Sequence, residues 1–168
     1  MLLRAYFFLT VATLFWGGNT VVGKLAVGHV SPMMLNFSRW TIALAIICAI
    51  SVPQLKKDWP ALKRNWLLML AYGAVGYTAF NGFLYTALKY TSAVNGAIEQ
   101  GGIPVLIFIL NFLLFRIPVS FVQILGFAIS FVGVALTATR GDINVLLSLS
   151  MNFGDALLLL AVVAYAIY

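Results

Sequence analysis

Two ionisable side chains in apolar surroundings carry the first chemical signal in this sequence. Arg39 lies in "LNFSRWTIALAII" and Glu99 in "NGAIEQGGIPVLIFILNF". A cation held among apolar residues can grip a carboxylate, and a carboxylate held there can bind an ammonium group or carry a proton. Burial and a neighbouring cation act in opposite directions on that carboxylate's hold on its proton, so sequence leaves both protonation states open. Polar side chains gather near them: Asn19, Asn36, Thr78, Asn81, Asn95 and Gln100. Trp16, Tyr77 and Tyr85 offer flat walls for an organic ligand.

The elements that must position these groups are membrane helices. Of 168 residues, 63% are hydrophobic and 8% charged, against about 25% charged in an average soluble domain. Mean hydropathy is +1.05. Such a chain cannot cover a water-facing surface, so it reads as an all-α integral membrane protein, a polytopic bundle of transmembrane helices. Six apolar segments emerge, at about 5–25, 33–52, 66–86, 93–115, 119–137 and 153–168. They run continuously rather than alternating, which predicts helices instead of barrel strands. Residues 53–65 read as a loop, and the other connections are short. The apolar run after Arg4 reads as a retained helix rather than a cleaved leader, because no small-residue cleavage site follows it.

Prolines fit this division. Pro32, Pro53, Pro60 and Pro118 fall at or between segment ends, whereas Pro104 lies inside the fourth segment. Pro104 lacks the amide that the Gln100 carbonyl needs, and Gly101 and Gly102 lower the cost of bending. This predicts a kink at Gly101, Gly102 and Pro104 beside Glu99, and an interrupted helix next to polar groups points to a transporter binding site. In the fifth segment Gly126 and Ser130, and Gly133 and Thr137, stand four apart, the spacing of a small-residue helix-packing face.

Charge sets orientation and excludes other classes. Net charge is +6 from ten cations, with no basic cluster on a soluble face, so nucleic acid is not an expected partner. The lipid bilayer is, since these cations set topology and touch anionic headgroups. Arg4, Lys56, Lys57, Lys63, Arg64 and Arg116 fall on one side, and Lys24, Lys89 and Arg140 on the other, which favours a cytoplasmic N-terminus. Both Arg39 and Glu99 then lie roughly 10 Å below the outer boundary, each seven residues into its segment. At equal depth they can meet as a pair inside one damp recess opening outward, or lock helices together as a purely structural ion pair. Cys48 stands alone, which gives neither a disulfide framework nor a metal cluster. Asp142 and Asp155 lie near segment ends with no catalytic motif around them, so no enzyme is expected.

Several stretches resemble the EamA-type transporters of the drug/metabolite transporter superfamily. They are "LFWGGNTVVGK", the "SRW" arginine, "ALKYTSAVNGAIEQGGIPVLIFILNFLLF", "LGFAISFVGVALT" and "FGDALLLLAVVAYAIY". One departure is "FRIP", where Arg116 and Ile117 stand in place of the "gE" pair whose glutamate the family often carries just after the fourth helix. The resemblance implies ten helices in two inverted five-helix repeats, of which this chain holds the first repeat over 1–140. A linker and the first helix of a truncated second repeat then occupy 141–168. It implies a multi-pass exporter of small metabolites, amino acids or drugs among them, in the bacterial inner membrane, working by alternating access. No cofactor is expected beyond a coupling proton. The site expected to hold substrate is Trp16, Asn19, Arg39, Asn81, Tyr85, Glu99 and Gln100, with Arg39 for a carboxylate, Glu99 for an ammonium group or proton, and the aromatics for the apolar body. The competing expectation is a non-transporting membrane scaffold. On the truncated reading, a second copy or the missing repeat must complete the carrier.

Overall fold

A computed structural model describes residues 2–139, 141, 142, 144 and 152–168. Arg140, counted above among the outer cations, lies outside the described residues, as does most of the stretch linking it to Asn152. The elements are α1 (Leu2–Leu25), α2 (Pro32–Ile50), α3 (Val52–Arg64) and α4 (Trp66–Tyr72), then a π-helical stretch (Gly73–Ala79) running directly into α5 (Phe80–Ala87). They continue as α6 (Ala93–Gln100), α7 (Ile103–Phe115), α8 (Phe121–Ala138) and α9 (Phe153–Ile167). No strand occurs among the described residues. Four helical runs are long and apolar enough to cross a membrane: Leu3–Leu25, Pro32–Ile50, Trp66–Ala87 and Ala93–Phe115. Two shorter apolar helices accompany them, Phe121–Thr137 and Phe153–Ile167. The chain is a polytopic helical membrane protein.

Side-chain caps explain where these helices begin. The Ser31 hydroxyl accepts from the Met34 amide ahead of Pro32, and Ser92 accepts from Asn95. Ser120 with Gln123, and Asn152 with Asp155, form reciprocal capping boxes. Each satisfies amides that would otherwise be orphaned at a helix start. The fourth apolar segment is divided, with Gly101 and Gly102 between α6 and α7 and Pro104 in the first turn of α7. The third is continuous but changes winding at Gly73–Ala79, where the π-helical turn shifts the faces of α4 and α5 relative to each other.

One expectation fails here. Residues 53–65 do not form a loop, since α3 occupies Val52–Arg64. Apolar content alone misses it, because a helix with one greasy and one basic face has low mean hydropathy. Pro53 sits in its first turn, where a missing amide costs nothing, while Pro60 lies inside the helix.

The core is small and lies where α5 meets α9. Leu84 and Tyr85 on α5, with Leu88 just past its end, are fully buried against Leu158, with Ala87, Ala161 and Ala164 around them. Alanines at the contact let the two backbones approach closely, as membrane helices favour. Gly154 carries this furthest. A Cβ there would stand 2.8 Å from the Ala87 carbonyl oxygen and 2.8 Å from the Thr91 Cβ. Elsewhere large apolar side chains face outward, Phe15 at 77% and Phe121 at 76% exposure among them. On a lipid-facing surface such exposure carries no penalty.

Candidate functional site

Helices α1, α2, α5 and α9, with the π-helical stretch, surround an open recess of about 600 Å³. Trp16 and Asn19 reach it from α1, Arg39 and Trp40 from α2, Tyr77 from the π-helical stretch, and Phe80 and Asn81 from α5. Tyr165 and Tyr168 close it from the last segment. Gly76 lets the Tyr168 ring lie directly on the backbone, in space a Cβ would fill. The Tyr168 hydroxyl donates to the Tyr77 hydroxyl at 2.9 Å, and Tyr77 meets the Trp40 ring edge-on at 4.4 Å.

Arg39 is the charged member of this wall. Its guanidinium carbon lies 5.5 Å from the Tyr85 ring centroid, within cation–π range. Nη1 is buried with no hydrogen-bond partner among the described residues. Behind it the Tyr85 hydroxyl donates to Asn19 Oδ1 at 2.6 Å. Asn81 Nδ2 donates back to the Tyr77 carbonyl at 3.0 Å. The recess therefore presents one cation, an amide pair whose bonds are partly used, and aromatic walls.

The residues expected to hold substrate divide into two groups. Trp16, Asn19, Arg39 and Asn81 line this recess, and Tyr85 backs it. Gln100 lines a second cavity of about 550 Å³ with Gly101, Pro104, Gln123, Gly126 and Ser130. Trp16 and Tyr165 border both, stacked at 5.2 Å with 28° between their planes. Glu99 lines neither cavity, and its Oε2 is buried without a partner. The expected meeting of Arg39 with Glu99 does not occur, and the two form no ion pair. Equal depth does not fix which neighbour a helix faces. Helix α2 packs on α5, where Tyr85 takes the place beside Arg39, whereas α6 packs on α9, α8 and α1. The face bearing Gly126, Ser130, Gly133 and Thr137 is exposed, with nothing described within 4 Å of a Cβ built at either glycine.

Two residues outside that set hold the helices in place. Lys24, near the end of α1, donates from Nζ to the Leu88 carbonyl at 2.7 Å and the Thr91 carbonyl at 2.8 Å. It thereby satisfies acceptors left bare where α5 ends. Asp155 accepts from Thr91 Oγ1 at 2.6 Å, Asn95 Nδ2 at 3.1 Å and the Asn152 amide at 2.9 Å. This polar knot ties α1, α5, α6 and α9 together at one end of the bundle. The N-x-x-D spacing ahead of an apolar run could have revealed the Asn152–Asp155 cap. Nothing in the sequence distinguishes Lys24 from an ordinary topology-setting cation.

The pattern of the EamA-like transporter family matches residues 3–139. The chain belongs to this family. It is 32% identical over 168 residues to the uncharacterized transporter YyaM of Bacillus subtilis (strain 168), covering 99% of this chain and 54% of that protein. An uncharacterized transporter of Archaeoglobus fulgidus is 24% identical over 166 residues, covering 99% of this chain and 56% of its own. An uncharacterized protein of Haemophilus influenzae is 30% identical over 107 residues, 63% of this chain and 80% of that protein. The EamA chain described here thus spans about half the length of the transporters it matches. No solved structure matches it.

Proposed function

We propose that this chain forms part of a secondary carrier for small carboxylate-bearing metabolites, amino acids among them, in a bacterial inner membrane. Family membership and the relatives' description as transporters speak for transport rather than catalysis. The observation that carries the substrate class is Arg39, whose buried Nη1 lacks a partner in a recess walled by aromatics. An arginine at membrane depth costs about 2.5–3.5 kcal/mol on insertion scales. A ligand carboxylate would supply the missing acceptor through a charge-assisted hydrogen bond. Trp16, Trp40, Tyr77 and Phe80 would flank its apolar body, and Asn19 and Asn81 would orient it.

On this reading the N-terminus is cytoplasmic, the direction is export, and the recess is loaded by alternating access of two inverted repeats. Residues 1–140 are the first repeat, and α9 begins the second. The complementary half comes from a second repeat or a second copy.

The test is export of toxic amino-acid analogues by cells carrying the protein with its full complement of helices. Arg39→Gln should abolish resistance while the protein remains in the membrane. Resistance unchanged by Arg39→Gln would overturn Arg39 as the carboxylate site, and no resistance from the wild-type protein would leave the scaffold reading standing.

A further inference from the structure

We propose that α3 is an interfacial helix whose basic face binds the headgroups of anionic phospholipids. This surface is separate from the recess, so it stands or falls independently of the transport reading. Helix α3 carries Lys56, Lys57, Lys63 and Arg64, four of the ten cations in the chain, against one carboxylate, Asp58. That carboxylate is engaged by Gln54 Nε2 at 2.7 Å. The four cations are exposed and form no ion pair among the described residues. No residue of α3 is buried by the rest of the chain.

Helical spacing sorts the side chains into faces. At 100° per residue Val52, Leu55, Trp59 and Leu62 fall within one quadrant, while Lys56, Lys57, Lys63 and Arg64 occupy the arc beginning beside it. Trp59 is 60% exposed, and Trp66, immediately after the helix, is 56% exposed. A greasy strip with tryptophan beside a basic strip is the pattern of a helix lying in the headgroup plane.

Covalent continuity fixes the location. The helix is joined through Ser51 to α2 and through Asn65 to α4, both of which belong to membrane-spanning runs. Its backbone leaves helical geometry at both joints, with φ −110° at Ser51 and φ −107° at Asn65. A helix about 20 Å long is therefore held where two spans meet water, too charged to enter hydrocarbon. Phosphate headgroups are the acidic surface present at that level, and charge complementarity selects the anionic ones.

Native mass spectrometry of the protein released from nanodiscs of mixed phosphatidylcholine and phosphatidylglycerol tests this directly. The wild-type chain should retain phosphatidylglycerol preferentially. Each cation-to-glutamine change among Lys56, Lys57, Lys63 and Arg64 should lower that preference about fivefold at low salt. High salt should erode the preference of the wild type and spare the quadruple variant. A companion measurement places the helix. Trp59 fluorescence, in a chain with Trp16, Trp40 and Trp66 changed to Phe, should be quenched by lipids brominated near the headgroup end of the acyl chain. Equal retention of both lipids by the wild type, or an undiminished preference in the quadruple variant, would overturn the proposal. So would an unquenched Trp59.

Discussion

At the scale of single residues, the recess depends on groups whose neighbours leave them short of a bond. Arg39 has a π face on one side and an empty hydrogen-bond direction on the other. Tyr85 serves twice, as the ring beneath Arg39 and as the donor to Asn19. Tyr85→Phe keeps the ring and removes the hydrogen bond to the part-buried Asn19 oxygen, at a cost of about 0.5–1.5 kcal/mol. The expected outcome is a lowered apparent Tm in detergent with Arg39-dependent export largely retained. Sequence made Arg39 conspicuous because a cation among apolar residues has few uses. It could not show that Tyr85, rather than Glu99, stands beside it. Depth along a helix is readable from counting residues, but the face a helix turns to its neighbour depends on packing.

Among the elements, the closest contact is that of α5 with α9, and it is set by the absence of side chains. Gly154 leaves no room for a Cβ between itself and the Ala87 carbonyl, and a backbone oxygen cannot swing aside. Gly154→Val should force the helices apart and loosen the Thr91–Asp155 bond, costing about 1–3 kcal/mol as overpacking does. Thermal unfolding of the purified chain measures this, and an unchanged midpoint would show that α9 docks less tightly than described. The apolar elements were legible in the sequence to within a few residues, because continuous runs of hydrocarbon side chains leave little choice in a bilayer. Helix α3 was not, since its prolines and lysines imitate a loop when only averages are read. Its four-residue echo of apolar positions, Leu55 with Trp59 and Leu62 soon after, was the signal available.

For the molecule as a whole, one polar knot accompanies the two cavities that Trp16 and Tyr165 border. Lys24, Thr91, Asn95 and Asp155 bind the bundle at one end, while the recesses lie along its length. Glu99, on α6, belongs to neither cavity, yet its Oε2 is buried with no hydrogen-bond partner among the described residues. We expect it to carry the coupling proton of the complete carrier. In proteoliposomes of the full-length protein, Glu99→Gln should make substrate movement insensitive to a pH gradient. Wild-type movement already insensitive to that gradient would remove the idea.

The stacked rings of Trp16 and Tyr165 have a consequence of their own. They are a partition with two faces, one toward the chamber holding Arg39 and the other toward the chamber holding Gln100. A guest that tilts one plate from its own side reshapes the opposite side in the same motion. The shape of either chamber is thus set in part by the same two rings that shape the other.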